Sequence, residues 1–396
     1  MRYFDYLSRT EELERFYKPP VSFTNSSTRE ILSYAVGAAL YSPATRTTIA
    51  DDIWKRKHQG LVSMVLDLED AIGDHEVELA EATLFDQVDR IARYVRQGVM
   101  PSSDVPLLFI RVRNPEQVTR MIESLGEHVM WITGFFFPKF TPHNGWDYFR
   151  RLDDYNLHKA ERAPVLYGSP ILESAEVIYA EQRIETLMAI RAILQHFRAY
   201  VLTVRIGATD FSSLFGVRRS VDHTIYDILT IRSCIADILN VMGRVEDHFV
   251  ISGPVWEYFS HHTPCTDRLD DRIIRIARQY GVHPHSLADY GLIREVLLDK
   301  ENGIVGKTVI HPSQIKIVQS LSAVTYEEFV DARGILEPRN GLSGGVVKSE
   351  YANKMNEFKP HMNWARRILT KANVFGVLHE NQHIHSYQPE PSQAYV

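Results

Sequence analysis

Three carboxylates follow an apolar stretch in the segment LVSMVLDLEDAIG, residues 61 to 73. They are Asp67, Glu69 and Asp70, and they fall within four consecutive positions. Ionised carboxylates repel one another and are costly to bury unless a cation, an arginine or backbone N–H groups face them. The segment therefore predicts an acidic cluster that positive charge from elsewhere in the fold must balance.

Two further carboxylates, Glu173 and Asp210, close later apolar runs of the chain. On adjacent strands they would form a pair of oxygen ligands for a small hard cation, because Mg²⁺ takes one or two protein carboxylates and fills its octahedron with water and substrate oxygens. Arg46 in SPATRTT and Arg111 in FIRVR could bind a substrate carboxylate or phosphate through paired hydrogen bonds. This set predicts a cation site beside anion-binding groups.

These residues also have structural interpretations. A carboxylate at the end of a strand can be a helix N-cap or a salt-bridge partner, and Asp70 before AIGDHE fits a cap as well as a ligand. His311, which precedes Pro312, fits a structural hydrogen bond better than a catalytic role, although a histidine at such a position can also transfer protons. For Glu173 with Asp210 the metal is the favoured interpretation.

The elements that must position these residues alternate along the chain. Eight short, continuous apolar runs span 33–44, 61–68, 105–113, 129–139, 163–173, 200–210, 248–256 and 306–312. Segments whose apolar residues recur at helical spacing separate many of these runs. Examples are 75–98, 176–197, 224–242 and 267–281. Continuous runs are typical of parallel strands covered on both faces. The pattern predicts a (β/α)8 TIM barrel, with an open doubly wound sheet as the competing architecture, and a barrel would gather the charged run ends at one mouth.

The barrel interpretation divides the chain into four parts. Residues 1–32 form an N-terminal extension, and 33–322 form the barrel, which would carry the catalysis. Residues 323–378 form a C-terminal helical or flap region. The last part, 379–396, is polar and contains proline, which predicts a frayed tail.

The composition favours a soluble globular protein. A chain of 396 residues, 44% of them hydrophobic, can bury a sizeable core, and its formal charge of -6 gives no general attraction to nucleic acid. The N-terminus lacks an apolar signal core, and no run reaches the roughly 20 apolar residues of a membrane span. Cys234 and Cys265 lie far apart, which argues against a disulfide framework and favours a cytoplasmic setting.

Several motifs occur in a characteristic order: LDLEDAIGDH, FIRVRN, FPK, ILESAE, IGATDFSSLFG and GKTVIHPSQI. They resemble the motifs of the citrate lyase β-subunit-like proteins, part of the wider HpcH/HpaI aldolase and citrate lyase family of phosphoenolpyruvate/pyruvate-binding barrels. The match extends from about Ser42 to Ala372. The resemblance implies a TIM barrel and a Mg²⁺-dependent carbon–carbon bond lyase or aldolase. Its reactant would be a 2-oxo acid or acyl-CoA, cleaved through an enolate; Mn²⁺ is the alternative ion.

The resemblance also implies roles for individual residues. Glu173 and Asp210 correspond to the metal ligands. Arg111 and Asp67 are expected to take part in catalysis. The residues expected to bind substrate are Arg46, Arg111, Lys139, Glu69 and Asp70.

Two departures from the family pattern bear on these roles. Arg113 stands where relatives have an asparagine, and its extra charge could favour a more anionic substrate. The stretch ANKMNEFKPHMNW resembles a flap that in some relatives carries a catalytic aspartate into a neighbouring subunit. Glu357 is the residue nearest to that aspartate and could act as a general acid or base. A shared flap predicts a homo-oligomer, with a trimer favoured.

Two other functions stay open. A synthase would run the reaction towards condensation, joining acetyl-CoA or a related thioester to an oxo acid. A barrel that has kept the metal site could also be a non-catalytic subunit of a larger complex, because a fold does not fix a function.

Overall fold

The computed structural model describes residues 1–259, 269–337, 345–351 and 353–380. In this part of the chain, eight parallel strands form one sheet, numbered here β1 to β8 in chain order. They are β1 Ala38–Pro43, β2 Ser63–Asp67, β3 Leu107–Arg111, β4 Ile132–Phe137, β5 Tyr167–Leu172, β6 Val204–Ile206, β7 Ile251–Ser252 and β8 Lys307–Val309. Strands β3 and β4 are buried at every position, as expected for parallel strands covered on both faces.

The sheet closes on itself as a barrel. Its strand order is β7-β6-β5-β4-β3-β2-β1-β8. The two ends of this order meet where Val305 N donates to Ile251 O at 2.8 Å and Gly253 N donates to Gly306 O at 3.1 Å. The predicted (β/α)8 TIM barrel is confirmed, and the alternative of an open doubly wound sheet is wrong.

Helices surround the barrel and cover its ends. The α-helices of the described residues are Arg9–Arg15, Arg29–Ala35, Ile49–Trp54, Val77–Arg96, Pro115–Leu125, Pro142–His158, Ala175–Ile178, Arg183–His196, Ala208–Leu214, Leu229–Met242, Asp271–Gln279, Leu287–Glu301, Ser313–Ser322, Tyr326–Leu336 and Phe358–Phe375. None of these combines the length and the apolar character that crossing a bilayer requires.

Two predicted elements have different boundaries in the structure. The first part of the run 33–44 is the end of helix Arg29–Ala35, which begins where the Thr28 side chain accepts a hydrogen bond from Ile31 N. The single helix predicted over 176–197 is two helices. The chain breaks between them because the Ile178 carbonyl accepts hydrogen bonds from the Arg183 guanidinium, at 3.2 and 2.5 Å.

The N-terminal extension packs at the amino ends of the strands. Tyr3 Oη donates to Ala35 O at 2.9 Å, just before β1 begins, and its ring centroid lies 4.8 Å from that of Phe375. The short strand Phe16–Lys18 pairs antiparallel with Val377–Leu378. The two termini of the described barrel region are therefore joined at this end.

The C-terminal helices Tyr326–Leu336 and Phe358–Phe375 pack on each other through a small apolar cluster of their own. Arg367 Nη2 donates to Gly243 O at 3.2 Å, in the segment that leads into β7. Thr370 Oγ1 donates to Glu30 Oε1 at 3.0 Å, in the helix Arg29–Ala35 that precedes β1. The C-terminal region thus lies at the amino end of the barrel, opposite the mouth.

Some parts of the predicted segments lie outside the described residues. They are 260–268 in the barrel region, 338–344 and 352 in the C-terminal region, and 381–396 in the tail. The helix predicted over 267–281 is observed as Asp271–Gln279. After that helix, the Tyr280 carbonyl accepts a hydrogen bond from Arg15 at 3.0 Å, so this part packs against the N-terminal extension.

Candidate metal and substrate site

Arg111, the last residue of β3, binds the acidic cluster at the end of β2. Its Nε donates to Asp67 Oδ1 at 2.7 Å and its Nη2 to Asp67 Oδ2 at 2.5 Å. Its Nη1 lies 2.9 Å from Glu69 Oε2 and 3.1 Å from Asp70 Oδ2. Burial acts to lower the pKa of Arg111, but the hydrogen bonds to Asp67 together with the charges of Asp67 and Glu69 raise it. One arginine therefore balances much of the charge that the sequence places here.

The sheet register explains this contact. Asp67 and Arg111 are direct partners of the β2–β3 pairing, so both side chains face the same side at the carboxyl end of the strands. Asp70 is an ion-pair partner of Arg111 and not a helix cap, because the next helix begins only at Val77, after the single turn Asp74–Glu76.

Lys139, just after β4, adds a second positive charge. Its Nζ contacts Glu69 Oε1 and lies 3.6 Å from Asp70 Oδ1. Its backbone has a φ of 47°, in the left-handed region that few non-glycine residues adopt. The Lys139 N–H donates to Glu173 Oε1 at 2.8 Å. One residue thus holds the acidic cluster with its side chain and Glu173 with its backbone.

Glu173 and Asp210, the predicted metal ligands, both lie at the mouth. Glu173 follows β5 and is 4% exposed; Asp210 is half-buried in the first turn of helix Ala208–Leu214, after β6. Burial and the charge of Asp210 raise the pKa of Glu173 to about 8. Burial and the charge of Asp70 raise the pKa of Asp210, with the charges of Lys139 and Arg111 opposing the shift. Gly207 makes room for the pair, because a Cβ at that position would collide with the Glu173 carboxylate.

The charges of the mouth fit a divalent cation. Five carboxylates face three cations, which leaves two negative charges that one divalent ion would balance. The carboxylates are Asp67, Glu69, Asp70, Glu173 and Asp210, and the cations are Arg111, Lys139 and Arg205. In the described part of the chain, no group of three or more His, Cys, Asp or Glu side chains could hold a metal by itself. Two carboxylates suit Mg²⁺, which keeps water and substrate oxygens, better than a closed zinc site.

Arg205 and Tyr41 lie inside the barrel below these groups, and the sequence motifs did not identify them. The Arg205 Cζ is 5.2 Å from the ring centroids of both Tyr41, on β1, and Phe136, on β4. Neither strand is a neighbour of β6, so the Arg205 side chain must point into the barrel. The Tyr41 ring also contacts Arg111, whose Cζ lies 5.3 Å from its centroid. The available signal was a charged residue inside the apolar run YVLTVRIGATD.

Three other predicted or suspected residues have local partners. Arg46 donates to Asp52 at 2.6 Å and to Thr48 at 3.0 Å, and the contacts of the described residues do not link it to the acidic cluster. The Arg113 side chain donates to Leu68 O at 3.3 Å and contacts Asp74. His311 Nδ1 lies 2.9 Å from Ser313 Oγ, and the imidazole stacks on Phe259.

Glu357 is remote from the mouth of its own chain. It is exposed at the start of helix Phe358–Phe375, where its backbone N–H donates to His361 Nδ1 at 3.0 Å. It ends the short strand Met355–Glu357, which pairs with Val346–Lys348. Because this region packs at the amino end of the barrel, the described contacts do not bring Glu357 to Glu173 or Arg111.

Comparison with known proteins supports the same fold. Protein CitE from Mycobacterium tuberculosis, solved with magnesium, acetoacetate and coenzyme A, has 17% sequence identity and a TM-score of 0.51, covering 86% of this chain and 99% of that chain. A citrate lyase from Burkholderia xenovorans LB400 has 14% identity and a TM-score of 0.58, covering 88% and 94%. A search of the curated proteins found no match.

The match to a protein family covers most of the chain. A family model described as C–C bond lyase of the TIM-barrel fold matches residues 30–377. This range contains the whole barrel, the acidic cluster, the Glu173–Asp210 pair and the C-terminal helices. The chain that folds into this barrel therefore belongs to the carbon–carbon bond lyase family of the TIM-barrel fold.

Proposed function

We propose that the protein is a Mg²⁺-dependent lyase or aldolase that cleaves a carbon–carbon bond in a 2-oxo acid or an acyl-CoA. The observation that carries this proposal is that Glu173 and Asp210 lie at the same mouth, where Gly207 packs against the Glu173 carboxylate three residues before Asp210. Family membership supports carbon–carbon bond cleavage. The magnesium, acetoacetate and coenzyme A bound to the similar CitE protein support the ion and the class of reactant. Mn²⁺ is the alternative ion.

The residues at the mouth would have different roles in this reaction. Glu173 and Asp210 hold the ion. When bound, Mg²⁺ supplies a Lewis acid that stabilises negative charge on a carbonyl oxygen. Asp67 orients Arg111, whose guanidinium faces the reactant.

The reactant also meets the edge of the acidic cluster. Glu69 and Asp70 share Nη1 of Arg111, so an anionic reactant would compete with them for this donor. Lys139 Nζ, on a side chain that is 53% exposed, is within reach of an incoming carboxylate. Arg46 would have to leave Asp52 to reach the same reactant.

The metal assignment is tested with Glu173→Ala and Asp210→Ala. We expect the wild type to bind Mg²⁺ in calorimetric titration and to cleave a member of a panel of 2-oxo acids and acyl-CoA esters. Each variant should keep its circular dichroism spectrum and lose both properties. Asp237→Ala, which alters a carboxylate on an outer helix, is the matched control and should keep both. Full activity in either site variant would remove the metal assignment.

Condensation is the second candidate, and the coenzyme A of the CitE structure favours it. Incubation with acetyl-CoA and glyoxylate or pyruvate should then release a free thiol. No thiol release with any pair would count against a synthase. A wild type that binds Mg²⁺ but turns over nothing, and that purifies with a stable partner, would favour a non-catalytic barrel subunit.

A further inference from the structure

Arg205 is a buried cation that forms no ion pair with the described residues. Its side chain lies inside the barrel and the residue is 2% exposed. Among residues 1–259, 269–337, 345–351 and 353–380, no acidic group lies within ion-pair distance of its guanidinium, and its buried Nη1 has no hydrogen-bond partner. Nearly all buried polar groups in proteins are hydrogen-bonded, and an unpaired buried charge is costly, so this arrangement requires an explanation.

Other buried cations of the same fold are paired with acids. Arg219 contacts Glu295, Lys307 lies 2.8 Å from the same glutamate, and Arg183 Nη1 lies 2.8 Å from an Asp237 oxygen. These pairs stand on the outside of the barrel. Arg205 faces the inside of the barrel and differs from them in having no acidic partner among the described residues.

A second unpaired polar group lies beside Arg205. Ser252 on β7 is its direct partner in the sheet register, so both side chains face the barrel interior. The Ser252 Oγ is fully buried and has no hydrogen-bond partner in the part of the chain that the structure describes. A guanidinium and a hydroxyl therefore lie side by side in the barrel interior without a partner among the described residues.

The surroundings hold the Arg205 charge in place without cancelling it. The Tyr41 and Phe136 rings flank the guanidinium, and aromatic faces attract a cation while carrying no net charge. Burial lowers the pKa of Arg205; Tyr41 and Glu173 act to raise it, and Arg111 to lower it. Glu173 and Arg111 are therefore both within electrostatic range. An arginine nevertheless remains protonated, so the charge persists beneath the mouth.

We propose that Arg205 is a specificity-determining residue, which selects an anionic 2-oxo acid over a neutral carbonyl compound by the field of a charge that no carboxylate contacts directly. The inference rests on the proposed function and names the reactant class for the same site. This role for Arg205 makes a prediction that a purely structural role does not make. A positive charge below the mouth attracts an anion and repels a metal ion, so its removal must shift the affinities for these two ligands in opposite directions.

The experiment compares the wild type with Arg205→Met and Arg205→Lys, using calorimetric titration with Mg²⁺ alone and then with oxalate at saturating Mg²⁺. In Arg205→Met we expect oxalate to bind roughly tenfold more weakly, and Mg²⁺ to bind severalfold more tightly, as unit charges near a protein surface interact over this range. Arg205→Lys, which keeps the charge, should restore most of both affinities. Arg183→Met removes another buried arginine, on the outside of the barrel, and should change neither.

Each outcome has a distinct meaning. Weaker binding of both ligands in Arg205→Met would show a structural role and overturn the inference. Unchanged binding of Mg²⁺ and oxalate would show that the Arg205 charge does not affect ligand binding, and it would also overturn the inference. If the wild type fails to bind Mg²⁺, the proposed function fails, and oxalate alone then tests Arg205, which must still be needed for its binding.

Discussion

At the scale of single residues, the geometry of Glu173 depends on the absence of a side chain at Gly207. The Gly207 backbone has a φ of -97°, which any residue can adopt, so contact and not backbone strain requires the glycine. Gly207→Ala should displace the Glu173 carboxylate and weaken Mg²⁺ binding, with turnover reduced roughly a hundredfold, as expected for a misplacement near 1 Å. Calorimetry and steady-state kinetics would measure both.

The control for Gly207→Ala is Gly334→Ala. A Cβ at Gly334 meets no atom within 4 Å, and the residue lies in helix Tyr326–Leu336, so alanine should leave binding unchanged and slightly favour the helix. If Gly207→Ala bound Mg²⁺ as tightly as the wild type, Glu173 would not need its observed position.

The burial of His58 predicts that the stability of the fold depends on pH. Burial lowers its pKa from 6.5 to about 4, with the Asp52 charge opposing the shift. The folded state therefore disfavours the protonated ring, while the unfolded chain takes up the proton below about pH 6.5. The contribution of His58 to the free energy of unfolding should be complete above pH 6.5. It should decrease as pH falls towards 4, by roughly 3 kcal/mol at most.

His58→Gln should remove this part of the pH dependence. Urea denaturation from pH 7 to pH 4 should show a smaller fall in the free energy of unfolding for the variant than for the wild type. His143→Gln replaces a histidine with an 83% exposed side chain and should follow the wild-type curve. Equal slopes for His58→Gln and the wild type would show that another group carries the dependence.

The sequence predicted part of the site because strand ends are visible in it. Asp67 and Glu173 each follow a continuous apolar run, and the barrel rule brings such ends together. Arg46 also follows a run, yet it pairs with Asp52 six residues later, within its own loop. Arg205 was missed because the inward direction of one side chain depends on register and on contacts across the barrel, which a single strand does not reveal.

At the scale of elements, a buried ion network joins β8 to the helix Leu287–Glu301. Lys307 Nζ lies 2.8 Å from both Glu295 Oε1 and Asp299 Oδ2, and all three side chains are buried. Lys307 is the lysine of the motif GKTVIHP, so this family motif is explained here by packing. It fixes the last strand, which closes the barrel against β1.

Lys307→Met should therefore be strongly destabilising. Removing one partner leaves two buried carboxylates with less compensation, and such changes typically cost about 3–5 kcal/mol. Denaturant titration would measure the loss. Arg294→Met, on the same helix as Glu295, removes a partly exposed ion pair with Asp227 and should cost less than about 1 kcal/mol. A small effect of Lys307→Met would mean that the neighbouring Arg219 compensates the network.

Element boundaries were less predictable than element types. The eight runs correspond to the eight strands, and the helix predicted over 75–98 is observed as Val77–Arg96. The strand predicted over 33–44 begins too early because SYAVGAAL consists almost entirely of apolar and small residues. Such a short run fits a buried helix end as well as a strand. Tertiary contacts at the amino end of the barrel decide between them.

At the scale of the whole molecule, the barrel has one charged end and one covered end. The mouth carries the acidic cluster and the Glu173–Asp210 pair, while the terminal segments pack at the amino ends of the strands. The resemblance predicted a catalytic role for Glu357. The position of Glu357 along the barrel axis depends on how the C-terminal helices pack, and the motif does not specify that packing. In one chain the two ends are separate, so a role for Glu357 requires a second chain.

We propose that the protein is a homo-oligomer, most simply a trimer, in which the flap of one chain brings Glu357 to the mouth of the next. Glu173→Ala and Glu357→Ala should then each be inactive alone. After subunit exchange in an equal mixture, about a quarter of the sites would combine an intact mouth with an intact flap, restoring about a quarter of wild-type turnover. Mixed oligomers, verified by mass spectrometry, that stay inactive would contradict the shared site, as would full activity of Glu357→Ala.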